Sequence, residues 1–125
     1  MKFYTGYFAK IKKYSEMNLF PVSIARFNPK GTNFLRWLDV APAEDILRDY
    51  KAGKIGETEY KIRYLAQLEH TDIRAGLQNI ERKIPDGYDG IVFCCYEKTG
   101  SFCHRNILAD YSKEHFGIEM QEVVL

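Results

Sequence analysis

The chain has little that points beyond its own fold. Lys and Arg (18) nearly balance Asp and Glu (17), leaving a net charge of +1. No global excess of one sign draws it to nucleic acid or to an anionic membrane, so only a local patch could recruit either. No apolar run approaches the roughly 20 residues of a membrane span. No apolar signal segment follows the first Lys. A cytoplasmic protein with no membrane partner is the expectation. Cysteine is also scarce, with Cys94, Cys95 and Cys103 the only three. Neighbours on a strand point to opposite faces, so Cys94 and Cys95 are not expected to pair with each other. Reduced thiols fit better than a disulfide framework. Repeats at a solenoid period and low-complexity tracts are absent as well.

What is there suits one α/β domain over residues 1–125, long enough for an independent core. The aromatic share of 14% means that large side chains do much of the packing. The centre of the chain's organisation is GIVFCCYEKTGSFCHRNILAD, Gly90 to Asp110. Ile91 to Tyr96 is an unbroken apolar run of strand length, the pattern of a strand covered on both faces in a parallel sheet. Glu97 to Ser101 supplies turn chemistry. From Cys103 onward the chain reads as a helix, with Ile107, Leu108 and Tyr111 on one face and Gly117 as its stop.

Around this centre, Lys2 to Phe8 reads as a first strand, with Gly6 permitting close approach of a ligand or a neighbour. Ala9 to Met17 is a short basic helix or turn, its lysines a solvated face. Pro21 to Ala25 is a second strand with Pro at its first position, ending at Arg26. Phe27 to Val40 reads as an irregular loop in which Trp37 is a packing anchor. Pro42 to Asp45 opens a helix with acids in its first turn. A second helix follows Gly56, with Tyr60, Tyr64, Leu65 and Leu68 at helical spacing. Thr71 is the expected N-cap of a third, carrying Ile73, Leu77, Ile80 and Ile84, with Pro85 ending it. Ile118 to Leu125 holds a short edge strand. The sum is a three-layer, Rossmann-like domain with a mostly parallel sheet.

Three segments, YTGYFAK, PVSIAR and above all CCYEKTGSFCHRNILAD, resemble a bacterial and phage family known as domain of unknown function 488. The last is similar to that family's signature: a hydrophobic strand ending in Tyr-Glu-Lys, a short loop, then Cys-His-Arg opening a helix. The resemblance implies a small α/β fold and an active or binding site at Cys103, His104 and Arg105.

The residues themselves point to the same place. In open α/β sheets ligands bind where strand C-termini feed helix N-termini, and the first turn of a helix offers free N–H groups and a positive dipole end. There Cys103 has surroundings that lower a thiol pKa and favour a nucleophilic thiolate. The competing reading is a small buried filler. A protein-tyrosine-phosphatase loop is excluded, because it needs Arg six positions after Cys and this chain has Ala109. A rhodanese-like cradle sits directly after the central strand, whereas eight positions separate Cys95 from Cys103.

His104 has the intrinsic pKa of a general acid or base, with Glu97 expected to orient it. Adjacent ligands on one helix diverge and no second Cys-x-x-Cys pair exists, so neither a metal nor a cofactor is expected. Arg105, with Arg26 at the end of the second strand, suits an anion such as phosphate or carboxylate. A buried ion pair of Arg105 with Glu97 or Asp110 is the alternative. Tyr7 and Ser101 complete the candidate ligand-binding set. Two function classes follow: an enzyme acting on an anionic small molecule or nucleotide, and a non-catalytic module that binds a nucleotide or nucleic acid.

Overall fold

A computed structural model describes residues 1–125. Its centre is β4 (Gly90–Cys95), buried at every position. The burial has a simple cause, since β4 has strands along both edges and helices over both faces. On one side lies β2 (Leu19–Ser23) and on the other β1 (Lys2–Tyr7), both parallel to it. The two-residue β3 (Leu35–Arg36) extends the sheet beyond β2, and β5 (Met120–Glu122) extends it beyond β1. The order is therefore β3-β2-β4-β1-β5, all parallel. The parallel α/β sheet and the edge position of the last strand agree with the sequence reading.

Alternation along β4 sorts its side chains. Ile91, Phe93 and Cys95 join a large core with Val22 and Ile24, beneath α2 (Glu44–Lys51), α3 (Glu57–Glu69), α4 (Ile73–Lys83) and α5 (His104–Phe116). Val92 and Cys94 join Tyr14, Leu19 and Val123 in a smaller cluster under α1 (Ile11–Glu16). The three layers are thus unequal. Tyr60, Tyr64 and Leu68 on α3 and Ile73, Leu77 and Ile80 on α4 are the buried stripes. Each apolar side chain so removed from water is worth about 1.5–3 kcal/mol. Trp37 is buried against Phe93, with ring centroids 5.4 Å apart, and is the packing anchor expected.

Three local expectations change and a fourth is narrowed. The ladder of β2 runs from Leu19 to Ser23, so Pro21 lies inside the strand. It is tolerated because β3 pairs only with Val22 and Ser23, leaving one edge of β2 free at Pro21. The segment read as an irregular loop contains β3, which at two residues is too short to show periodicity. Asp72, rather than Thr71, caps α4. Its carboxylate accepts the Ala75 N–H at 3.0 Å, while the Thr71 hydroxyl donates back to the Gln67 carbonyl at 3.1 Å. Gly6 admits a neighbour, not a ligand: a Cβ there would fall on the Tyr14 ring, whose hydroxyl oxygen accepts the Tyr7 N–H at 3.1 Å.

The topology also fixes where a ligand would enter. Leaving β2 the chain turns toward β3, and leaving β4 it turns toward β5, on the opposite side. The C-terminal ends of β2 and β4 are therefore neighbours whose exits diverge, which is the crevice where open α/β sheets bind ligands. Ile24 just past β2 remains tied to β4, its N–H donating to the Cys94 carbonyl at 3.0 Å. No helix is long and apolar enough to cross a membrane.

Candidate functional site

The loop after β4 folds back on itself, with the Ser101 N–H donating to the Lys98 carbonyl at 3.1 Å. This return brings Cys103 over the end of its own strand. Cys103 is the cap of α5, in extended backbone (φ −154°, ψ 143°), and His104 is the first helical residue. The side chains of Cys95 and Cys103 converge until their sulfurs are in bonding contact, with the Cα atoms 7.7 Å apart. Three separate thiols are thus not what the fold produces. Only Cys94 stands alone, buried on the opposite face of the sheet.

His104 is turned into the same cluster. Its Nε2–H donates to the Ile24 carbonyl at 2.7 Å, which leaves Nδ1 as the lone-pair nitrogen, 3.8 Å from Cys103 Sγ. The buried Tyr64 ring and the imidazole pack edge to face, with centroids 5.6 Å apart and planes at 84°. Burial, opposed by the Ile24 bond and reinforced by the Arg105 charge, pulls the His104 pKa down to about 4. The imidazole is therefore neutral near pH 7. Glu97 does not orient it, because the Glu97 side chain is exposed at the surface and the orienting carbonyl belongs to Ile24. The divergence expected of adjacent ligands does not occur either. Extended backbone at Cys103 followed by helix at His104 aims both side chains at Cys95, and the ligand atoms of all three lie within 4.8 Å of one another.

Arg105 takes a different part from the one its position suggested. It is fully buried and grips Glu122 at the end of β5, Nε to Oε1 and Nη2 to Oε2, both at 2.9 Å. Its Nη1 donates to the Glu97 carbonyl at 2.6 Å and to Cys95 Sγ at 2.9 Å. The guanidinium lies 5.8 Å from the Tyr7 ring centroid. Its fork is thus nearly spent within the fold, so the anion-ligand role expected of Arg105 gives way to a buried ion pair. The partner is Glu122, not Glu97 or Asp110. Glu122 also accepts the hydroxyls of Thr5 (2.7 Å) and Thr99 (2.8 Å). Partial burial alone would raise its pKa, but the bonds from Arg105, Thr5 and Thr99 outweigh that and hold it below the usual carboxylate range.

Above the cluster opens a cleft of about 190 Å³, with Cys95, Cys103 and His104 among its lining residues. Tyr50, Tyr60 and Phe102 form an aromatic wall, with centroids 5.1 to 5.7 Å apart. Burial keeps the Tyr60 hydroxyl protonated, its pKa raised above the ordinary value. Arg26 and Lys51 also line the cleft, as does Glu97. Arg26 donates to the carbonyls of Pro42 and Ala41, each at 3.0 Å, and neither it nor Lys51 has a carboxylate within ion-pair distance. Two cations without an ion-pair partner thus lie beside an apolar wall, in a cleft that Glu97 also lines. Tyr7 and Ser101 do not line this cleft: Tyr7 supports Arg105 and Ser101 closes the loop.

The structure thus brings Cys103, His104, Glu97 and Arg26 to one cleft, and sets Arg105 behind it. Sequence reasoning missed Cys95, Lys51 and the aromatic wall. Cys95 resembled any apolar strand residue, and Tyr50 and Tyr60 resembled core stripes of their helices. A family model described as DUF488-N3a, the active DUF488-N3 subclade, matches residues 12–116. No curated protein and no solved structure matches the chain.

Proposed function

We propose, for a chain that belongs to the DUF488 family through its active N3 subclade, that this cleft is the site of an enzyme. Its substrate is a small anionic molecule of the phosphate or nucleotide class. The observation that carries the reading is the vertical order of the cleft: a cluster of two sulfurs and an imidazole at the floor, an aromatic wall, and two cations without carboxylate partners. The wall suits a flat ring, and Arg26 and Lys51 suit a phosphate or carboxylate.

At about 190 Å³ the cleft is smaller than the roughly 300 Å³ at which pockets for drug-sized ligands begin. It accommodates one ring or one small acid, and a larger substrate extends out through the mouth. The reactive floor is the Cys95, Cys103 and His104 cluster at the start of α5, with the His104 lone pair facing Cys103 Sγ at 3.8 Å. A non-catalytic module would need only the rim and the wall. The buried sulfur–imidazole floor, in a chain of the active N3 subclade, favours the enzyme.

Ligand-induced stabilisation tests the reading. Inorganic phosphate and nucleoside monophosphates should raise the melting temperature at constant ionic strength, by the equivalent of about 2.7 kcal/mol at a hundred times Kd. Arg26→Ala and Lys51→Ala should each remove most of the shift, and Lys12→Ala, on the exposed face of α1, should keep it. Equal shifts in all three variants would mean non-specific anion binding and would overturn the proposal.

A further inference from the structure

We infer that Cys95, Cys103 and His104 form a binding site for one zinc-class divalent ion, with three protein ligands and a fourth position open to the cleft. The inference rests on the enzyme reading of the cleft and names its reactive group. The two sulfurs act as ligands, and the chemistry at the open position is that of a Lewis acid.

The donor set is the first argument. Two thiolates and one imidazole nitrogen are soft to borderline ligands that select zinc over magnesium or calcium. Zn–S bonds of about 2.3 Å and Zn–N bonds of about 2.0–2.1 Å put tetrahedral ligand atoms roughly 3.5–3.8 Å apart. Cys103 Sγ and His104 Nδ1 stand at 3.8 Å, and the whole set lies within 4.8 Å. The sulfurs must part to admit an ion. The backbone spacing is wide enough for this: the Cα separation of 7.7 Å exceeds the 4.4–6.8 Å that disulfides usually span.

The surroundings are the second argument. A metal-ligating histidine nearly always donates its other N–H to a carbonyl or carboxylate, which fixes the ligating nitrogen. The Ile24 carbonyl does this at 2.7 Å and leaves Nδ1 toward Cys103. Arg105 Nη1 donates to Cys95 Sγ at 2.9 Å, a bond suited to a thiolate acceptor, while Glu122 already balances the Arg105 charge. Two thiolates, a neutral imidazole and a divalent cation sum to zero. The loaded cluster therefore buries no net charge, which is the condition for tolerating it at this depth. All three ligand residues line the cleft, so its empty side supplies the fourth ligand, a water or a substrate oxygen. Three ligands and an open position are the pattern of catalytic, not structural, zinc sites.

The test is anaerobic titration with Co²⁺ of protein first reduced and stripped with chelator. One equivalent should give the sulfur-to-cobalt charge-transfer absorption and the visible bands of tetrahedral cobalt, and Zn²⁺ should displace it. Cys95→Ser, Cys103→Ser and His104→Ala should each lose or strongly alter that spectrum, and Cys94→Ser should keep it. Because a ligand variant can fail to fold, a second readout uses the wild type. Zn²⁺ should protect Cys95 and Cys103 from alkylation. Absence of stoichiometric Co²⁺ uptake by the reduced wild type overturns the inference, as does uptake unchanged in all three ligand variants. If metal binding fails while phosphate still stabilises metal-free protein through Arg26, only the metal site is lost. If metal binds and the Arg26-dependent shift is absent, the anion reading alone falls.

Discussion

Arg105 and Glu122 are joined by a two-pronged ion pair, both contacts at 2.9 Å, that ties the first turn of α5 to the last strand of the sheet. Through it the segment that carries Cys103 and His104 is fastened to β5, and through the Thr5 and Thr99 hydroxyls the same carboxylate also holds β1 and the loop after β4. Glu122 is thus the clasp of the site although it lies outside the cleft. Glu122→Ala should destabilise the fold by about 3–5 kcal/mol, because it leaves the fully buried Arg105 charge without a partner. Urea denaturation checks this. A loss under about 1 kcal/mol, the size of an exposed pair, would show that the clasp has little weight.

The same carboxylate sets a pH dependence. Its folded pKa is below the unfolded value of about 4.3, so the unfolded chain binds the proton more readily. Its contribution is fully present above that value and is lost as pH falls through it toward the lower folded pKa. The stability gap between wild type and Glu122→Gln should therefore be widest near neutrality and close steadily below about pH 4.3. A gap that is constant with pH would assign the difference to hydrogen-bond geometry and not to charge.

Gly6 and Tyr14 make a packing prediction on the opposite face. A methyl at position 6 would meet the Tyr14 ring, so Gly6→Ala should cost about 1–3 kcal/mol as overpacking. In a Tyr14→Ala background the added methyl should cost much less, since the two residues are in contact and their effects couple. Additive losses in chemical denaturation would show that the methyl is accommodated elsewhere.

These relationships show which parts of the molecule are legible in its sequence. The unbroken run Ile91–Cys95 announces a central strand because a fully covered strand has no polar alternation. The turn residues after it, and Gly117 with its left-handed φ of 66°, bracket α5. The site was therefore legible as a place. Its wiring was not. Glu122 lies 17 positions from Arg105 on an edge strand, and nothing local marks a carboxylate there as a partner. Arg105 carries the same signal whether it faces a ligand or a buried acid. Cys95 becomes distinctive only once the loop returns Cys103 to its face of the sheet, and that return depends on backbone extended at the cap. Lys51 and the aromatic wall belong to helices whose approach to the cleft is decided by tertiary packing.

The most direct test of the central claim, that sulfur cluster and anion-binding rim form one cleft, is site-resolved alkylation of reduced, metal-free protein. Mass spectrometry after partial reaction with iodoacetamide should find Cys103 labelled well before Cys94, which is sealed under α1 on the other face of the sheet. A bound nucleoside monophosphate should slow labelling of Cys103 in the wild type and should not slow it in Arg26→Ala. Labelling of Cys94 as fast as Cys103, or a Cys103 rate indifferent to ligand in the wild type, would contradict the account.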